Sequence, residues 1–259
     1  MRQFDRKIVL VTGGSSGIGE AAAKLFAEQG AIVVIASRGH ENGERVAAEI
    51  SSSGGDALFL PTDVGVEDQV ESAIRAIVDR YGGLDIVFNN AGAGPRGAWH
   101  EDENSWHHTM ETVVVGTFYV CKRVVPILEA RGGGAIVNMS SIASISGHLP
   151  DYNPVHGLAL SHHPSRGAID SYTRALAVEI GGMNIRVNCV RPGWIATPLT
   201  QRNMERAQKV VAPFFVERQP LKYNGRSEDG AQAVVFLASP AAKFITGQVL
   251  TIDGGYTLT

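Results

Sequence analysis

A chain of 259 residues is long enough to bury one large α/β core, and a second domain is allowed but not required. Apolar residues make up 44% and charged residues 19%, which excludes disorder as the main state, and a net charge of −3 offers no basic field for nucleic acid or an acidic membrane surface. The only cysteines, Cys121 and Cys189, lie in apolar runs, which argues against a disulfide framework, and neither a signal peptide nor an apolar stretch of the ~20 residues needed to span a bilayer is found, so a cytoplasmic protein is expected.

The first β-branched run, 8–11, predicts a strand, followed by a glycine-rich turn and an amphipathic helix over 20–29. A second strand over 32–35 leads into a helix over 41–50, and further strands are expected at 57–60, 84–88, 135–138 and 185–189. Nearly continuous apolar strands separated by helices call for a parallel sheet covered on both faces. The expected fold is a single-domain α/β, Rossmann-type doubly wound sheet over 1–259. Glycines at 132–134 and 181–182 fall where helices should end.

The turn after the first strand holds Gly13, Ser15, Ser16, Gly17, Ile18 and Gly19. Glycines there let the backbone approach a pyrophosphate, and the helix start presents unpaired N–H groups and partial positive charge to it. At the end of the second strand, where an acidic residue would hydrogen-bond a free ribose 2′-hydroxyl, the chain has Ser37 and Arg38. Loss of the carboxylate and gain of a guanidinium fork favour NADP(H) over NAD(H), with a merely solvated Arg38 as the alternative.

Taken with that turn, Asp63-Val64, Asn89-Asn90-Ala91-Gly92, Asn138 to Ser141, Arg186-Val187-Asn188, Pro192-Gly193 with Thr197, and Asp253-Gly254-Gly255 resemble the short-chain dehydrogenase/reductase family over essentially the whole length. The resemblance implies that Asp63 and Val64 bracket the adenine. It implies that Asn90, Ala91 and Gly92 border the adenosine side, and that Pro192, Gly193, Ile195 and Thr197 face the nicotinamide carboxamide. It also implies a homotetramer or homodimer built on two long helices near 104–129 and 160–180.

The family's catalytic set is Asn, Ser, Tyr and Lys: Tyr passes the proton, Lys lowers its pKa and holds the ribose, Ser binds the carbonyl oxygen and Asn anchors a relay water. Ser141 matches the serine, while the resemblance puts His162 at the Tyr position, Arg166 at the Lys position and Val113 at the Asn position. The interval from Ser141 to His162 is longer than the family's, with an insertion at about 146–160 carrying Tyr152. Tyr152 with His156 is a rival reading of the proton-donor motif, although Pro154 and Gly157 would interrupt the helix it needs. His162 can donate a proton near neutrality, and Arg166 can hold ribose hydroxyls while disfavouring the imidazolium. Ordinary ketone reduction is therefore expected to be slow, and an iminium, an enone or an unusual carbonyl is the better substrate.

Seven of the eight histidines fall in two groups, His100, His107, His108 and His148, His156, His162, His163. The second group is expected to border the cleft and the first its outer wall. Their spacing matches no metal motif, and no metal site is expected. The segment 194–218, with Trp194, Met204, Phe214 and Phe215, is the expected substrate cover and suits an apolar or aromatic small molecule. The leading expectation is an NADP(H)-dependent oxidoreductase of specialised metabolism. A non-redox cyclase or isomerase in the same cleft, or an inactive cofactor-binding protein, are the other readings.

Overall fold

The computed structural model describes residues 2–92, 101–147, 160–198, 200, 209 and 212–259. The chain runs β1 (Ile8–Thr12), α1 (Gly17–Glu28), β2 (Ile32–Ser37), α2 (His40–Ser52), β3 (Asp56–Pro61), α3 (Glu67–Tyr81) and β4 (Ile86–Asn89). It continues through α4 (Glu103–Met110), a π-helical turn (Glu111–Val115), α5 (Gly116–Ala130), β5 (Gly134–Met139), α6 (His162–Ile180) and β6 (Ile185–Pro192). The C-terminal part adds β7 (Ile195–Ala196), α7 (Ala212–Arg218), β8 (Gly225–Arg226), α8 (Ser227–Ala238) and β9 (Val249–Ile252).

Seven strands form one parallel sheet in the order β3-β2-β1-β4-β5-β6-β9, so the doubly wound expectation holds. Strand alternation divides the core between two faces. Val9 and Val11 of β1 pack with Phe26 of α1, Val46 of α2 and Val234 of α8 on one side. Ile8 and Leu10 pack with Ile77 of α3, Val124 and Leu128 of α5 and Ile180 of α6 on the other. Each such fully buried aliphatic side chain contributes roughly 1.5–3 kcal/mol, which is why apolar patterning sets the layers. The helices carry matching end signals: α3 starts with Glu67 and Asp68 and stops at Gly82 in the left-handed conformation.

The strand order reverses between β1 and β4, whose C-terminal ends open a crevice. Beside it, the π-turn buries Val113 against Ile169 and Cys189, and the Val113 carbonyl accepts a 2.7 Å bond from the Thr117 hydroxyl. Among the described residues no helix is long and apolar enough to cross a membrane.

Candidate active site

The glycine turn lies at the reversal point. Asn90, just past β4, donates its side-chain amide to the carbonyls of Gly13 (2.9 Å) and Thr12 (3.2 Å). The Thr12 hydroxyl in turn accepts the backbone N–H of Asn90 and Ala91 at 3.0 and 3.1 Å. This ties the ends of β1 and β4 together and fixes the path of the turn. Gly13 has φ +63°, and a Cβ on Gly19 would stand 2.4 Å from both the Asn90 amide nitrogen and the Gly13 carbonyl, so the turn admits no side chain there. Ser15 and Ile18 are half-buried and Ser16, which precedes α1, is exposed with no side-chain cap on the helix. Thr197 joins from across the crevice: its side chain lies 3.3 Å from where Gly17 would carry a Cβ. Thr197 is held by Thr200, whose hydroxyl accepts its N–H at 2.8 Å, while Ile195 and Pro192 are buried behind it. Gly193 packs against Asp253.

At the end of β2 the Ser37 hydroxyl is buried without a partner among the described residues. Arg38 is half-exposed and is already engaged: its Nη1 lies 3.3 Å from His108 Nε2 and 3.8 Å from Asp63 Oδ2. Asp63 also accepts the Gly65 N–H at 3.0 Å, shaping the loop that carries Val64, which is buried. His108 thus reaches the end of β2 from α4, whereas the sequence predicts only an outer wall for it.

Arg166 extends from α6 under the ends of β4 and β5. Its Nη1 donates to the Met139 carbonyl at 2.7 Å, its Nη2 approaches within 2.9 Å of where Gly92 would carry a Cβ, and its Nε is buried without a partner among the described residues. The Ser140 hydroxyl donates to the Arg166 carbonyl at 3.2 Å, locking helix to strand. Burial pulls the guanidinium down to about 10, still charged at neutral pH, with Asp170 one turn further on opposing that shift. Asp170 is itself buried and pairs with Arg191 at 2.6 Å. Burial pushes the Cys189 thiol beside it upward, so it remains protonated.

Ser141 follows β5 and caps the short turn Ile142–Ser144, its hydroxyl accepting the Ala143 N–H at 3.3 Å while remaining partly exposed. His162 is the first residue of α6, one turn before Arg166, and its ring meets His163 edge to face at 6.3 Å; burial pushes the His163 imidazole down. Ser161 before it is fully buried and donates its N–H (2.9 Å) and hydroxyl (2.7 Å) to Glu101, which fixes the start of α6 against the entry to α4. Tyr152, residues 148–159 of the insertion expected at about 146–160, His100, His148 and His156 lie outside the described residues, as do Met204 and most of 199–211. The described part of 194–218 is aromatic and packs on the C-terminal end: Trp194 stacks on Phe215 at 5.6 Å, and Tyr256 meets Phe215 at 4.8 Å. Ile142, next to Ser141, packs into this cluster.

Glu101, Asp170 and Arg191 were not singled out in the sequence. The i, i+4 spacing of Arg166 and Asp170 was a usable signal for one of them. Among the described residues no three His, Cys, Asp or Glu side chains converge as metal ligands.

The profile described as Enoyl-(Acyl carrier protein) reductase matches residues 13–257. The chain is 34% identical to the 3-oxoacyl-(acyl-carrier-protein) reductase of Thermotoga maritima, over 99% of this chain and all of that one (100%). It is 36% identical to the cis-4-hydroxycyclohexanecarboxylate dehydrogenase of Sinomonas cyclohexanicum, over 98% of each. The crystal structure of L-sorbose reductase from Gluconobacter frateurii, complexed with NADPH and L-sorbose, superposes with a TM-score of 0.90 at 29% identity over 100% of both chains. With the fold, the crevice and these full-length likenesses in agreement, the chain belongs to the short-chain dehydrogenase/reductase family.

Proposed function

We propose that the protein is an NADP(H)-dependent oxidoreductase whose acid/base set is altered, with Ser141, Arg166 and His162 around the reacting carbon. The observation that carries this reading is Arg166: a charged guanidinium buried between Met139 and Gly92 in the crevice, with Nε unpartnered among the described residues. A buried cation with an unused donor is costly unless a ligand completes it. Ribose hydroxyls are suitable acceptors. The glycine turn and the unpartnered Ser37 hydroxyl fit the pyrophosphate and adenosine ends of the same dinucleotide. Preference for the 2′-phosphorylated form rests on Arg38 and on the absence of a carboxylate at the end of β2, and is in keeping with the NADPH complex of L-sorbose reductase.

When bound, the reduced dinucleotide supplies hydride. The chain's own part is to hold and polarise the acceptor. Ser141, partly exposed, donates to the developing oxyanion; Arg166 adds fixed positive charge from a site that is mostly dry. His162, on the first turn of α6, is the proton donor, and Tyr152 in the insertion is the rival for that role. Without Tyr–Lys coupling, ketone reduction is slowed by ~10²–10⁴-fold, whereas an iminium or an activated C=C bond loses less. The aromatic wall of Trp194, Phe215 and Tyr256 favours an apolar small molecule. Self-association through α5 and α6 is part of the reading, since Phe118 and Val178 stand exposed there.

Titration of NADPH and NADH by fluorescence, followed by nicotinamide absorbance with ketones, enones and iminium salts, tests it. Oxidation of NADPH fastest with the enone or iminium set is expected. No NADPH binding sinks the proposal, and tight binding without turnover on any acceptor transfers the site to non-redox chemistry.

A further inference from the structure

We propose that His108 is a second ligand for the adenosine 2′-phosphate and, with Arg38, sets the preference for NADP(H); this rests on the NADP(H) reading above. Arg38 is the cation expected to receive the phosphate, yet Asp63 lies 3.8 Å away and offsets it. A phosphate monoester carries about −1.5 to −2 charge near neutral pH, so an arginine already balanced by a carboxylate leaves a deficit. His108 is placed to add a hydrogen-bond donor beside it.

Three elements converge there: the end of β2 with Ser37 and Arg38, the loop after β3 with Asp63, and α4 with His108. Arg38 Nη1 donates to His108 Nε2 at 3.3 Å, so the ring nitrogen faces the guanidinium rather than solvent alone. A phosphate taking the guanidinium fork displaces that bond. The imidazole, released from the guanidinium, can then turn a ring N–H toward the same phosphate, since either ring nitrogen can carry the proton. Both side chains are accessible, and a Cβ on Gly39, next in sequence to Arg38, would meet nothing within 4 Å, leaving room beside the start of α2. That start carries no side-chain cap, and its unpaired N–H groups add favourable potential for an anion. A free ribose hydroxyl recruits none of this, so His108 discriminates between the two dinucleotides.

The test is fluorescence titration of NADPH, NADH and 2′,5′-ADP competition against the wild type, His108→Ala, His108→Lys and Arg38→Ala. His108→Ala is expected to weaken NADPH and 2′,5′-ADP about tenfold, the worth of one charge-assisted hydrogen bond, with NADH changed by less than about twofold. His108→Lys, which puts a donor back at that position, is expected to recover most of the loss. If Arg38→Ala weakens NADPH while His108→Ala does not, the inference falls and the NADP(H) reading stands. Equal weakening of both dinucleotides by His108→Ala makes the residue structural, and tightening of both makes it an obstruction; either overturns the inference. A wild type that binds NADH as tightly as NADPH removes both readings together.

Discussion

Asp170 of α6 and Arg191 of β6 meet at 2.6 Å in the interior, with side chains only 5% and 12% exposed. Arg191 also reaches Thr251 of β9 at 3.4 Å, and its Nε is buried without a partner among the described residues. The pair stands one helical turn from Arg166, whose charged form the same carboxylate favours through space. A solitary buried pair is weak evidence of net stabilisation, but removal of one partner is expensive. Asp170→Asn is expected to lower unfolding stability in urea by about 3–5 kcal/mol, and the apolar double change Asp170→Leu with Arg191→Met by far less. Equal losses in the two variants would show that packing volume, rather than uncompensated charge, dominates.

Asp85, just ahead of β4, accepts the Ile8 N–H at 2.9 Å and pairs with Lys7 at 3.1 Å and Arg131 at 3.2 Å. Burial pushes its carboxyl up, but the Ile8 N–H, Lys7 and Arg131 together outweigh it and hold the group below its ordinary value. An unfolded Asp titrates at about 3.9, so the stabilisation is complete above that pH and is lost as pH falls through the lower folded value. Urea titrations between pH 6 and the acid limb, each pH set at about one-unit steps, should show a steeper acid loss for wild type than for Asp85→Asn. Parallel acid limbs would place that loss elsewhere.

Six of the seven sheet strands were legible because each apolar run is continuous and bounded by helices or glycines; the edge strand β9, only half-buried, gave no such run and was not expected. Arg166 was legible as a residue but not as a contact, since its neighbours Met139 and Gly92 come from the end of β5 and the loop after β4. The Arg38 to His108 contact spans 70 residues and depends on where α4 leans, which periodicity does not report. Asp85 escaped for a related reason: it is a single charge inside an apolar run, and its partner Arg131 comes from a distant segment, as does Arg191, the partner of Asp170. Val113 was read as the loss of a polar side chain, whereas the structure makes it a packing residue.

Gly19→Ala tests the cradle. The new methyl would collide with Asn90 and Gly13, neither of which can retreat without breaking the bonds that join β1 to β4. An overpacking cost of about 1–3 kcal/mol is expected in thermal or urea unfolding, with NADPH binding weakened by more than the stability change alone explains. Unaltered NADPH affinity would mean that the dinucleotide does not lie on this turn.

Arg166→Ala removes the buried cation and leaves the Met139 carbonyl without its donor. NADPH affinity is expected to fall at least about tenfold, since a charged hydrogen bond is lost along with the fixed charge. Arg166→Lys should retain much of the binding, because an ammonium can still reach a ribose hydroxyl from this helix. Binding that survives Arg166→Ala would separate this residue from the cofactor.

Restoring the family's acid/base set separates the chemistry from the packing. His162→Tyr with Arg166→Lys replaces groups on consecutive turns of α6 and should raise NADPH-dependent ketone reduction, read at the nicotinamide band. Adding Val113→Asn is a different matter: Val113 is only 1% exposed and packs against Ile169 and Cys189, so the amide enters an apolar pocket. An unsatisfied buried amide costs about 1–3 kcal/mol, and the triple variant is expected to melt below the double. If ketone turnover nonetheless rises further in the triple variant, the asparagine has found a hydrogen-bond partner that this pocket does not offer the valine. If the double variant gains no ketone turnover, His162 is not the proton-donor position, and the role passes to Tyr152 or to no side chain of this segment.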